Sequence, residues 1–171
     1  MQLREKAMPD RLLAEAVREC LLVAGLSVIV NDRADIASVT GAAGAHLGED
    51  DLPAVAARGI LGPSAILGVS THSVEAAVAA CALPVDYVAI GPVFDTPNAS
   101  VKRRALGVAA VAEAARRAPL PIVAIGGITL RTAPAVLEAG ASSVAVIADL
   151  MGAGDIAARA RAYLALAPKT R

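Results

Sequence analysis

The stretch Ile122–Gly127, IVAIGG, decides the fold. Four consecutive apolar residues leave no polar face, so a strand made from them has to be covered on both sides. The paired glycines end the run and open a turn, and the segment Pro134–Ala139 that follows reads as a helix. One strand, one glycine-rich junction and one alanine-rich helix therefore make a single βα unit.

The same unit recurs in both directions along the chain. SVIVND (27–32), AHLG (45–48), AILGVS (65–70), DYVAIGP (86–92) and SVAVIAD (143–149) are further short apolar runs ending in polar or glycine residues. With QLREK (2–6) as the first, seven strands are expected. Between them, PDRLLAEAVRECLL (9–22) places Leu12, Leu13, Ala16, Val17, Cys20 and Leu21 on one helical face. Further helices are expected over 73–82, 108–117, 134–139 and 156–166, with shorter ones after Asp32 and after Leu52, seven in all.

Strands alternating with helices fit a doubly wound sheet or a TIM-type (β/α)8 barrel. No strand is followed by GxGxxG, which removes the usual dinucleotide-binding signature. Polar and glycine residues gather at the C-terminal end of nearly every strand: Lys6, Asn31 with Asp32, Gly48 to Asp51, Ser70, Gly91, Gly126 with Gly127, and Ala148 with Asp149. A closed ring brings that many strand ends to one ligand, so the barrel is the expected fold, in a single domain over 1–171.

Composition narrows the class of function. The 171 residues are 56% hydrophobic and 2% aromatic, so the core consists of Ala, Val, Leu and Ile. Sixteen basic residues balance sixteen acidic ones, which offers nucleic acid or an anionic membrane no general attraction. No apolar run approaches the roughly 18 residues of a membrane span, and the start lacks the pattern of a secretory signal. Cys20 and Cys81 form no CxxC pattern and are expected to be reduced, buried thiols in a cytoplasmic protein.

Three stretches carry chemistry. Asp32 and one of Glu49, Asp50 or Asp51 lie at neighbouring strand ends and suit a shared magnesium ion, which takes oxygen ligands and keeps waters that phosphates displace; solvated loop acids or helix caps are the alternative. The glycine pair of IVAIGGITLRTA (122–133) lets backbone N–H groups approach a phosphate, though glycine also serves plain packing at a tight turn. The long loop GPVFDTPNASVKRRALG (91–107) offers Thr96, Asn98 and Ser100 as donors and Lys102, Arg103 and Arg104 as cations, with a solvated basic turn as the alternative.

QLREK, NDRADIA, GAHLGEDDLP, GVSTHS, DYVAIGPVF, VAIGGIT and AGASSVAVI, in this order and spacing, resemble the thiamine-phosphate synthase family over essentially the whole chain. The resemblance implies an eight-stranded barrel that joins a pyrimidinylmethyl diphosphate to a thiazole phosphate and releases pyrophosphate. It implies that Gln2, Arg4, Glu5, Lys6 and Asn31 hold the pyrimidine diphosphate, that Asp32 and Asp51 bind Mg2+, and that Ser70 lies beside the pyrimidine. By the same resemblance Thr96 and Asn98 meet the thiazole phosphate, with Gly127, Ile147 and Ala148 forming its backbone cradle. Arg4, Lys6, Ser70 and Lys102 are the expected catalytic residues.

The chain departs from the family pattern twice. The family loop carries a lysine where this chain has Ala99, and Lys102 is expected to supply the missing charge. The family's first βα unit has no counterpart before QLREK, which would leave seven strands and two open edges, so the natural start is expected upstream; a second copy is the other way to complete such a sheet. Two other readings remain: a thiazole tautomerase using His72 as acid or base, and a non-catalytic phosphate-binding homologue. His46 receives no role from the sequence.

Overall fold

The structure, a computed structural model, describes residues 1–23, 25–96 and 103–166. Each run of apolar residues becomes a strand and each alanine-rich segment a helix. The residues fall into two compact units.

In the first unit, Met1–Ser70 with Ala82–Asp86, the strands are β1 (Gln2–Leu3), β2 (Ile29–Asn31), β3 (Gly44–Leu47) and β4 (Ile66–Thr71), the last crossing out of the unit at Thr71. They pair in chain order and in parallel, with Leu3 opposite Val30, Asn31 opposite His46 and His46 opposite Gly68. Between them run α1 (Asp10–Leu21), α2 (Ala34–Thr40) and α3 (Ala54–Leu61). Leu13 and Val17, one helical turn apart, bury the inner face of α1, while Asp10 and Arg18 complement the two ends of its dipole. Val28, Val30, Leu47 and Leu67 are fully buried, as expected of strands without a polar face.

One arginine links several parts of this unit. Arg58 on α3 donates to the carbonyls of Gly62 at 3.1 Å, Ala65 at 2.6 Å and Pro84 at 3.0 Å. Its guanidinium also meets Asp86 Oδ2 at 2.7 Å, and the same oxygen accepts the Leu67 N–H at 2.7 Å.

The second unit, Thr71–Cys81 with Tyr87–Arg171, contains α4 (Val74–Ala80), β5 (Tyr87–Ile90), α5 (Val108–Arg117), β6 (Ile122–Ile125), α6 (Ala133–Glu138), β7 (Ser143–Ala145), α7 (Ala148–Met151) and α8 (Ile156–Leu166). β5 to β7 are again parallel and in chain order. Val88, Ile90, Val111, Ala124 and Val136 are its buried centre. Ser73 caps α4 by accepting the Ala76 N–H at 3.1 Å.

Several details differ from the sequence reading. The first strand ends at Leu3 instead of Lys6, so Arg4 and Lys6 are placed by irregular backbone and a turn, not by strand alternation. The last strand ends at Ala145, because the chain after Ile147 turns into the short helix α7, which brings the described helices to eight. Cys20 and Cys81 are free thiols but only half-buried. Among the described residues no helix is long and apolar enough to cross a membrane.

The chain has two tyrosines and no tryptophan, so its ultraviolet titration reports the two phenols alone. Burial pushes the Tyr87 phenol up to about 12, and burial together with the Asp149 carboxylate raises Tyr163 as well. The phenolate absorbance is expected to rise near pH 12. A midpoint near 10 would contradict the packing of β5. The folded-state value of Tyr87 is raised, so its contribution to stability is complete below about pH 10 and is lost as pH climbs towards 12.

Candidate active site

The ends of β1, β2 and β3 bring together a lysine and two aspartates. Lys6 Nζ lies 2.9 Å from Asp32 Oδ2, and the Asp32 and Asp51 side chains are hydrogen-bonded to each other. Asp51 Oδ2 also accepts the Gly48 N–H at 2.6 Å, which fixes the carboxyl against the turn after β3. Asp32 itself sits at φ 64°, the one non-glycine residue with positive φ among those described, and its N–H donates to the His46 carbonyl at 2.8 Å. A residue held in the left-handed region stores strain that the surrounding bonds must maintain.

The two carboxyls are driven apart in acidity. Burial acts to raise Asp32, but the hydrogen bond with Asp51 and the charges of Lys6 and Arg4 outweigh it and hold Asp32 below the usual carboxylate range. Burial and the neighbouring Asp32 push Asp51 up. Two carboxyls this close cannot both ionise cheaply without a cation between or beside them.

That donor set fits a magnesium ion. It supplies hard carboxylate oxygens from two aspartates, although among the described residues no group of three or more His, Cys, Asp or Glu side chains gathers to enclose a metal. An ion held by two aspartates completes its shell with water and phosphate oxygens, which is how magnesium usually binds.

Of the other expected residues of this unit, Asn31 adjoins Asp32 in the chain and Arg4 is near enough for its charge to act on Asp32. Asn31 ends β2 opposite His46, Arg4 is half-buried, and Gln2, Glu5 and Lys6 face solvent. Ser70, near the end of β4, is held by His46, whose Nε2 lies 2.8 Å from its hydroxyl. Sequence reading missed this partner. His46 is flanked by buried Ala45 and Leu47 and looks like core; what singles it out is its place opposite both Asn31 and Gly68, which only the fold reveals. His46 is 6% exposed, and burial pushes its pKa down to about 4, so it is neutral at physiological pH.

In the second unit the glycine turn and the long loop are joined. The Val93 N–H donates to the Ile125 carbonyl at 2.9 Å and the Phe94 N–H to the Gly126 carbonyl at 3.1 Å. A Cβ on Gly127, at φ 67°, would come within 2.6 Å of the Asp95 carbonyl and 2.7 Å of the Phe94 carbonyl. Glycine is required there because the loop leading to Thr96 rests directly on it. Ile147 and Ala148 open α7 and are exposed, and Asp149 accepts bonds from Leu130 N at 3.3 Å, Arg159 at 2.7 Å and Tyr163 at 2.6 Å. Asn98, Ala99 and Lys102 lie outside the described residues. His72 places Nδ1 2.7 Å from the Gly91 carbonyl, so that nitrogen carries the proton and donates.

The family model described as thiamine monophosphate synthase matches residues 1–150. The chain belongs to this family. A thiamine-phosphate synthase of Methanoculleus marisnigri is 46% identical over 164 residues, covering 94% of this chain and 78% of the relative. One from Anaeromyxobacter dehalogenans is 45% identical over 157 residues, covering 91% and 71%. Among solved structures, the thiamine phosphate pyrophosphorylase of Pyrococcus furiosus superposes with a TM-score of 0.87 at 32% identity, covering 96% of this chain and 80% of that one. A 3-hexulose-6-phosphate synthase, at 20% identity and a TM-score of 0.72, shares the fold alone. These likenesses show the TIM-barrel fold class expected from the alternation of strands and helices.

Proposed function

We propose that this chain is an enzyme of thiamine biosynthesis, a transferase that condenses a pyrimidinylmethyl diphosphate with a thiazole phosphate to give thiamine phosphate and pyrophosphate. Family membership supports the reaction, and the cluster of Lys6, Asp32 and Asp51 is the observation that carries it.

In the reaction the carbon–oxygen bond between the pyrimidine methylene and the diphosphate breaks, the electron pair leaving with the diphosphate. The thiazole ring nitrogen then forms the new carbon–nitrogen bond. Negative charge therefore collects on the leaving group, and groups already oriented towards that charge lower the barrier most. Arg4 and Lys6 provide two such cations at the end of β1, and Gln2, Glu5 and Asn31 border the same strand ends. Asp32 holds the Lys6 ammonium at 2.9 Å and so keeps it from wandering on its flexible stem. Asp32 and Asp51 would hold Mg2+, which when bound supplies further positive charge to the departing diphosphate. Ser70 stands beside the pyrimidine, and Thr96, Asn98, Gly127, Ile147 and Ala148 take the thiazole phosphate. Lys102 supplies the charge that Ala99 lacks. Holding the thiazole nitrogen against the methylene lets it capture the carbon before water does.

The enzyme is proposed to act in the cytoplasm, with small molecules as its substrates. A tautomerase reading is not favoured: such a reaction has no leaving diphosphate to require Arg4, Lys6, Asp32 and Asp51 together. Purified protein incubated with both substrates and magnesium is expected to form thiamine phosphate and pyrophosphate in equal amounts. Binding of both compounds without either product would overturn the catalytic reading in favour of a binding protein.

A further inference from the structure

We propose that His46 is a positioning residue for the pyrimidine half of this reaction: its buried imidazole holds the Ser70 hydroxyl in the orientation in which it meets the substrate ring. The inference rests on the functional reading above and adds a residue to which the sequence pattern gave no role.

The geometry comes from the strand register. His46 on β3 is paired opposite Gly68 on β4, and Ser70 is two residues further along β4, on the same face. Gly68 has no side chain to fill the space between them, so the imidazole reaches along the sheet and its Nε2 lies 2.8 Å from Ser70 Oγ. His46 is 6% exposed while Ser70 is half-buried, so the pair runs from the interior towards the strand end.

A serine hydroxyl left alone samples three staggered positions and turns freely about its C–O bond. A partner fixed inside a packed sheet selects one of these. The bond to His46 uses one hydrogen-bonding position of Ser70 and leaves the others available to a substrate. The backbone of the same residue also accepts the Asp32 N–H at 2.8 Å, so His46 touches both the pyrimidine-facing and the diphosphate-facing parts of the site. A histidine serving packing alone would affect stability without favouring one substrate over the other.

The test is a double-mutant cycle on the whole chain with S70A, H46L and the combined variant, plus H46Q, whose amide reaches the position of Nε2. kcat and KM are measured for each substrate, with melting temperature as the control. H46L is expected to lower kcat/KM for the pyrimidine diphosphate about tenfold, to leave KM for the thiazole phosphate within about twofold, and to add less than about twofold once Ser70 is already Ala. H46Q is expected to recover most of the loss. Effects of H46L that multiply fully with those of S70A, or that fall equally on both substrates, overturn the proposal, as does wild-type turnover in a folded H46L. Should H46L fail to fold, H46N replaces it, because its shorter amide stops short of Ser70 while keeping a polar group in the cavity. If the wild-type chain forms no product, the functional reading fails by itself, and calorimetric binding of the pyrimidine diphosphate to the same variants decides the role of His46. Weaker binding on H46L restored by H46Q upholds it, and equal or absent binding throughout overturns it.

Discussion

Asp32→Asn is expected to lower turnover by about 10²–10³-fold while the protein melts within about 2 °C of wild type, the size of effect seen when a preorganised charge-stabilising group is lost. The substitution separates charge from conformation. Asn tolerates the left-handed backbone at φ 64° as well as Asp does, so the turn after β2 survives. What disappears is the negative charge that holds Lys6 at 2.9 Å and helps push the pKa of Asp51 up. On the proposed reading, Lys6 is then free to leave the position from which it would meet the departing diphosphate, and Mg2+ would lose one of the two anionic ligands proposed for it. Asp32→Ala should cost stability in addition, about 1 kcal/mol or more, because Ala gains nothing from that backbone conformation. Steady-state rates across a magnesium titration, with thermal melting alongside, provide the measurement. Turnover of D32N within fivefold of wild type would remove the carboxylate pair from the mechanism.

The second large effect concerns the fold. Gly44→Ala is expected to lower the melting temperature by about 10 °C or more, or to prevent folding altogether. Gly44 begins β3, is buried, and is paired with Ile29 on one side and Ile66 on the other. A Cβ there would collide with the carbonyl oxygen of Ile66 and stand 2.6 Å from its carbonyl carbon and 2.8 Å from its nitrogen. These are backbone atoms of a paired strand, so no side-chain rotation relieves the clash, and β3 and β4 must separate at the point where they begin. Overpacking a core usually costs about 1–3 kcal/mol, and a clash with fixed backbone belongs above that range. Circular dichroism melts of the soluble variant settle the matter. A G44A protein that melts within about 2 °C of wild type would show that β3 and β4 can part at their start without loss.

Strands of uniform apolarity were the easiest feature to read. IVAIGG and DYVAIGP become β6 and β5 almost residue for residue, because four apolar residues bounded by glycine or proline have few other ways to be buried. QLREK and SVAVIAD are read too long for a common reason: a strand ends where its pairing ends, and composition does not reveal the partner. Asp32 and Asp51 were legible as candidate ligands from their positions after two strands, but the choice of Asp51 over Glu49 and Asp50 required the family pattern. In the fold, it is Asp51 that meets Asp32 and the Gly48 N–H. His46 could not be read as functional, since its environment depends on which residues lie across β2 and β4. Register is a property of pairs of strands, and a single strand's sequence carries little of it.

The contacts of Arg58 bear on how the first unit breathes. Its guanidinium spans the end of α3, the approach to β4 and the turn before β5, and Asp86 carries the link on to the Leu67 amide. None of these segments can detach alone without stranding several carbonyls or a carboxylate. Local fluctuations in this part of the molecule are therefore coupled: amide protons on α3 and at the head of β4 become accessible to exchange in one cooperative opening, with a shared free energy well above that of the fraying chain ends.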